Sequence, residues 1–238
     1  MIAETVPAPA QLPWRAPPLI EGLWVDLTPA AANEAMRLLA RALERAQMPV
    51  FLEGASVQRL RAAPVPFYPR HVLVECQCEL RSGPLTLFDF LLGPDGAVLL
   101  DGKVDSLHAL NAHLGLALGE PALGLSYLKF FCSAVRAAEG RFEIISAPAQ
   151  LHLAPAATVD ERDAISSAVE PPSPGETVKD GLWYDATVRY GRGLYRSSFV
   201  LRPDGGVEMR DERPLHMDMP VLVESFEGPF RLPVEMQT

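Results

Sequence analysis

The sequence predicts an α+β fold in which antiparallel β-meanders carry helices packed on one face, built from two degenerate, related halves. Three observations lead there. Short alternating apolar runs separated by Gly- and Pro-containing turns recur in both halves. Amphipathic stretches with recognisable start signals stand between them. Landmark residues repeat in the same order along the two halves.

Residues 1–20 are rich in proline and predict a flexible, extended arm, read first as a disordered tail and alternatively as a polyproline II segment that docks on a partner or a sister chain. After "LIEGLWVDL", Thr28 and Pro29 supply an N-cap and an N1 proline. Met36, Leu39, Ala40 and Leu43 then keep helical spacing to about Gln47. In "HVLVECQCEL" period-2 alternation predicts a strand over 71–81 with Val72, Val74, Cys76, Cys78 and Leu80 on one face. An "RSG" turn, the strand "PLTLFDFLL", a "GPDG" turn and the strand "AVLLD" follow. Asp105 or Ser106 can cap a short helix with Leu107, Leu110 and Leu114 on its seam. A stronger helix is expected from Ser126, with Tyr127, Leu128, Phe130, Phe131, Ala134 and Val135 on one arc. Gly140 offers its C-cap before a strand at "EGRFEII".

The composition shifts at 147–180. Thr158 and Glu161 form a capping box for a short helix, and "EPPSPGE" reads as a linker or surface loop. Beyond it come "LWYDATVRY", a "GRG" turn, "LYRSSFVL", a "PDG" turn, "GVEM" and a last apolar run "MPVLVESF". The expected organisation is an arm (1–20), a larger α+β half (21–150), a linker with one short helix (151–180) and a smaller, mostly β half (181–238). Residues 84–98 and 193–207 agree at seven of fifteen positions without a gap, among them Pro94, Asp95 and Gly96 against Pro203, Asp204 and Gly205. "GLWVDLT" and "GLWYDAT" add a flanking landmark, so we expect a degenerate duplication with a trimmed second copy.

Composition limits function. The chain has 238 residues, 48% hydrophobic and 21% charged, a globular balance without the signature of disorder. Its formal net charge of −9 argues against a nucleic-acid partner, because phosphate binding depends on clustered Lys and Arg. Of 21 Lys and Arg only three are Lys, a skew that fits a GC-rich bacterial genome. No apolar run approaches the roughly 20 residues that span a bilayer, and the first twenty residues do not read as a secretory signal. Cys76, Cys78 and Cys132 are odd in number and point to a reducing compartment, hence the cytoplasm, with the thiols as core residues. They lack the spacing of a zinc site or of a CxxC redox pair.

The acidic stretch "RPDGGVEMRDERPLH" (202–216) is the most concentrated candidate for chemistry. Comparison with "GPDGAVLLDGKVDSLH" splits it. Asp95 and Asp204 become formers of type I turns with a following bulge, Val207 and Met209 are expected to face in like Val98 and Leu100, and Glu208 to face water. Asp211, Glu212 and His216 remain, with Asp101, Lys103, Asp105 and His108 as first-half counterparts. A carboxylate near a histidine could serve a general base, and Lys103 between two acids could act as an electrophile. Each also has an ordinary structural role, since caps and solvated charges use the same residues. Trp24 and Trp183, in matching "GLW" frames, are candidate binding residues, against the ordinary reading of paired tryptophans as matching core pieces of a duplicated fold.

No nucleotide-binding, hydrolase-elbow or HExxH motif is present, and no cofactor or metal is implied. The sequence therefore suggests a non-catalytic bacterial protein that binds a protein or small ligand, with homo-oligomers an open option and neither nucleic acid nor membrane as partner. The alternative is a hydrolase-like enzyme using Asp101, Lys103, Asp105 and His108.

Overall fold

A computed structural model of the protein describes residues 14–48, 52–80 and 83–232. Its helices and antiparallel strands form an α+β fold with meanders. The chain divides into one compact unit of residues 1–101 and 224–238 and a second of residues 102–223.

The first unit starts at β1 (Val25–Asp26) and α1 (Pro29–Arg45). Thr28 caps α1, its hydroxyl accepting from Ala31 N, and Pro29 occupies the first turn as expected. Ala32, Ala35, Met36, Leu39 and Leu43 form its buried stripe. Each large side chain among them contributes about 1.5–3 kcal/mol by leaving water. The stripe packs on β2 (Ala55–Pro64), β3 (Val72–Leu80), β4 (Leu85–Gly93) and β5 (Gly96–Leu99), through Val57, Leu60, Val74, Cys76, Cys78, Phe88, Phe90 and Ala97. Both thiols of β3 sit on this face, fully buried. Strand β2 escapes the pattern reading because Arg59 and Arg61 break its alternation. Arg81 and Ser82 of the expected "RSG" turn lie outside the described residues.

The second unit begins with α2 (Val104–Leu114). Its N-cap position is Lys103, without a side-chain cap, so Asp105 and Ser106 lie inside the first turn instead of capping it. Leu107, Leu110 and Asn111 are its buried residues, while Leu114 is only partly covered. Helix α3 (Pro121–Ala134) starts five residues before Ser126, with proline at its head. Gly119 and Gly124 hide that start from the pattern. Gly124 has a packing reason: a Cβ there would fall 2.2 Å from Tyr184 Oη. Helix α3 closes at Val135, and Gly140 (φ +109) instead serves the turn between β6 (Arg136–Ala137) and β7 (Gly140–Ile145).

A short 3-10 turn (Pro148–Leu151), α4 (Val159–Ser167) and β8 (Glu176–Val178) precede the long antiparallel pair β9 (Gly181–Tyr190) and β10 (Gly193–Leu201). The Thr158–Glu161 capping box forms as read. Residues 170–173 lie along β9, with Glu170 N donating to Thr187 Oγ1 and Ser173 N to Asp185 O. Strand β11 spans Val207–His216, well past the expected "GVEM". The sheet runs β11-β10-β9-β7-β6, with β8 on β9.

The expected run "MPVLVESF" divides into a single bridge, Leu153 with Val221, and β12 (Ser225–Glu227). Strand β12 turns into β13 (Phe230–Leu232), and these two join the first unit, whose sheet runs β1-β2-β3-β4-β13-β12 with β5 on β4.

The two Pro-Asp-Gly hairpins close differently. Gly93 pairs with Gly96 in the first, whereas Leu201 pairs with Val207 in the second. Gly205 (φ +83) donates to Arg202 O, and Asp204 accepts from Gly206 N, so the aspartate is a turn former there as read. Val98 is 37% and Met209 38% exposed, so neither is buried as expected, whereas Leu100 is buried as expected and Ala97 is buried beside Val98. A closure differing in loop length moves side chains to the opposite face, which shared turn residues do not reveal.

Candidate functional site

In the first unit the sheet face opposite α1 is also buried, and it is charged. Strand alternation puts Leu73, Glu75 and Gln77 of β3 on that face with Leu87, Asp89 and Leu91 of β4 and Arg61 of β2. Glu75 lies directly across from Arg61 on one side and from Asp89 on the other. Arg231, on β13, completes the group.

Glu75 is the centre. Arg61 Nε donates to its Oε1 at 2.6 Å, a second guanidinium nitrogen of Arg61 reaches the same oxygen, and Arg231 Nη2 binds Oε2. Arg231 Nη1 also approaches Glu224 at 3.4 Å. The side chains of Glu75 and Arg231 are wholly buried and that of Arg61 is 8% exposed. Burial is the strongest influence on Glu75 and lifts its carboxyl to about 7. Arg231 and Arg61 oppose the lift, and Asp89 adds to it. Paired guanidinium forks suit this place because they answer both carboxylate oxygens while keeping donors to spare.

The spare donors hold main chain. Arg61 Nη2 donates to Ala16 O at 3.3 Å, Arg231 Nη1 donates to Pro17 O at 3.0 Å, and Arg15 N donates to Gln77 Oε1 at 3.1 Å. The described part of the proline-rich arm therefore lies across this face, with Leu19 buried. The Trp14 ring carries the Arg61 guanidinium 4.0 Å from its centroid and that of Arg59 at 4.7 Å, and its Nε1 donates to Asp26 Oδ1 at 3.0 Å. The Trp24 ring stands 5.2 Å from Arg61, and its indole donates to Ile20 O.

The other sequence candidates do not gather. Asp101 closes the first unit; Lys103, Asp105 and His108 open the second, all three exposed. His108 stacks on Phe131 with ring centroids 6.1 Å apart. Asp211 and Glu212 are exposed neighbours on β11, paired with Ser198 and Ser197, and His216 pairs with Leu194 at the far end. Asp211 and His216 are five residues apart on an extended strand, on the order of 15 Å. Trp183 is half-buried and donates to Asp185 Oδ1, which also accepts from Ser198 Oγ. Among the described residues no three His, Cys, Asp or Glu side chains are placed to hold a metal ion. A surface concavity of about 470 Å³ lies between Leu38, Arg41, Glu44 and Arg45 of α1 and the turn Pro94–Gly96; its charges are of mixed sign and solvated.

Comparison with known proteins supplies no relative. No family model, curated protein or solved structure matches the chain. No helix among the described residues is long and apolar enough to cross a membrane.

Arg61, Glu75, Asp89 and Arg231 were missed by pattern reading, which treats charges on a strand as its wet side. One signal was available. Leu73, Leu87 and Leu91 share the face of Glu75 and Asp89, so "HVLVECQCEL" and "PLTLFDFLL" read nearly as strands buried on both faces.

Proposed function

We propose that the protein is a non-catalytic binding module, at home in the bacterial cytoplasm, and that its ligand is an extended, proline-containing protein segment. The observation that carries this reading is the pair of donors, Arg61 to Ala16 O and Arg231 to Pro17 O, anchored by one buried glutamate. These contacts read main-chain carbonyls, which every peptide has. A polyproline-like strand offers such carbonyls without needing its own N–H groups satisfied, and the Trp14 site supplies an aromatic anchor. The hydrolase-like alternative asks Asp101, Lys103, Asp105 and His108 to converge, and the last three stand exposed on and beside the first turns of α2.

The test uses the full chain and a labelled peptide, QLPWRAPPL, copied from residues 11–19. In the native protein the arm occupies the face and lowers the apparent affinity. Trp14→Ala loosens the arm and is expected to bind the peptide about tenfold or more tightly than the unaltered chain, by fluorescence anisotropy. Arg59→Ala, combined with Trp14→Ala, should weaken that binding again. Absence of peptide binding by every variant, each checked as folded by circular dichroism, would refute the reading.

A further inference from the structure

We infer that the arm-binding face also accepts residues 14–20 of a second copy of this chain, giving a two-fold dimer by arm exchange; the inference rests on the binding reading above. Three features lead to this partner. First, every contact described for the arm would be reproduced by the same segment arriving from another copy, because Arg61, Arg231 and Gln77 address Arg15 N, Ala16 O and Pro17 O of whichever arm is present.

Second, the elbow joining the arm to β1 is exposed. Glu21 and Gly22 are exposed, and Gly22 holds φ +144 with nothing within 4 Å of where a Cβ would stand. Glycine populates this conformation and the extended ones about equally readily. Third, large apolar side chains are exposed at this elbow: Leu23 is 77% and Val25 58% exposed, and β1 is the outermost strand of its sheet. Exchange about a two-fold axis sets the two elbows side by side and lets Leu23 and Val25 of each copy cover those of the other. That gain is specific to a second copy and would not accompany a foreign peptide.

Sedimentation equilibrium of the full chain from micromolar to millimolar concentration tests this. Dimers are expected to appear as concentration rises. Trp14→Ala loosens the arm contact in monomer and dimer alike and should leave their dissociation constant nearly unchanged. Leu23→Glu should raise it about tenfold while leaving peptide binding by the face intact, because it acts on the elbow contact that only the dimer makes. Gly22→Pro should have the opposite effect, because proline is confined to φ near −65° and the closed elbow needs +144°. It opens the elbow and should strengthen the dimer about tenfold.

The exchange is overturned if the unaltered chain and Gly22→Pro both remain monomeric throughout, or if a dimer forms that is indifferent to Leu23→Glu or that Gly22→Pro does not strengthen. Peptide binding on the same samples separates the two ideas. Monomers that bind the peptide sink the exchange and leave the binding function standing; failure to bind the peptide sinks the binding function itself.

Discussion

Each sheet holds a glutamate between two arginines, yet the two groups fasten different kinds of chain. In the first unit Arg61, Glu75 and Arg231 are 8%, 0% and 0% exposed. In the second, Arg141, Glu143 and Arg189 are 6%, 15% and 9% exposed, with Glu143 at 2.5 Å from Arg141 and 2.6 Å from Arg189. Both contain a directly cross-strand Arg–Glu pair, Arg61 with Glu75 and Arg189 with Glu143. Both also turn an arginine toward a segment crossing the sheet, Arg231 to Pro17 O and Arg189 to Leu222 O.

The difference lies in the segment. Residues 220–222 are stitched main chain to main chain, Ala154 N to Pro220 O and Leu222 N to His152 O, above a small core of Ile145, Leu151, Ile165, Leu194, Met219 and Val221. Residues 15–17 are held by side chains reaching up from the sheet. A segment sewn by its own backbone is a piece of the fold, whereas one held by side chains can be exchanged for another of like shape.

Removing an arginine from each group should break this comparison most strongly. Arg231→Ala leaves a wholly buried carboxylate short of one partner and should cost about 3–5 kcal/mol in denaturant unfolding. Arg189→Ala leaves the better-solvated Glu143 and should cost roughly 1–3 kcal/mol. Equal losses would show that burial does not distinguish them.

A pH series should come next in size. The Glu75 carboxyl, faced by Arg61, Arg231, Asp89 and Gln77, is lifted from 4.5 to about 7 in the folded chain. A raised carboxyl binds its proton more tightly when folded. Its contribution to stability is therefore complete below pH 4.5 and is lost as pH rises through about 7. While this group alone titrates, the slope cannot exceed about 1.4 kcal/mol per pH unit. Glu75→Gln should flatten that part of the profile, and an unchanged profile would count against the assignment.

Trp14→Ala should then cost the first unit about 1–2 kcal/mol through lost stacking on Arg59 and Arg61. The smallest effect is expected at Asp211→Ala and Glu212→Ala, within about 0.5 kcal/mol and without change in peptide binding. A large effect there would return attention to β11.

Much of the fold was legible. The Thr28–Pro29 start of α1, the Thr158–Glu161 box, the alternation in β3 and the Asp204 turn are short-range devices, each written in a few neighbouring residues. The candidate site was not. Glu75 meets Arg61 across fourteen residues and Arg231 across 156, and no local pattern reports a pairing that distant. Strand β2 was hidden for the same reason, because Arg59 and Arg61 look like surface charges until Trp14 and Glu75 are beside them.

By itself, the sequence determined the class of fold, the first helix, the hairpins and the proline-rich character of the arm, since propensity, capping and turn chemistry act within a turn or a strand. Only the tertiary structure decided that the second face of the first sheet is dry and that the arm covers it. It also decided which closure each Pro-Asp-Gly turn adopts. Those outcomes depend on which groups, far apart in the chain, together satisfy buried charges and exclude water, and that is a property of the packed whole.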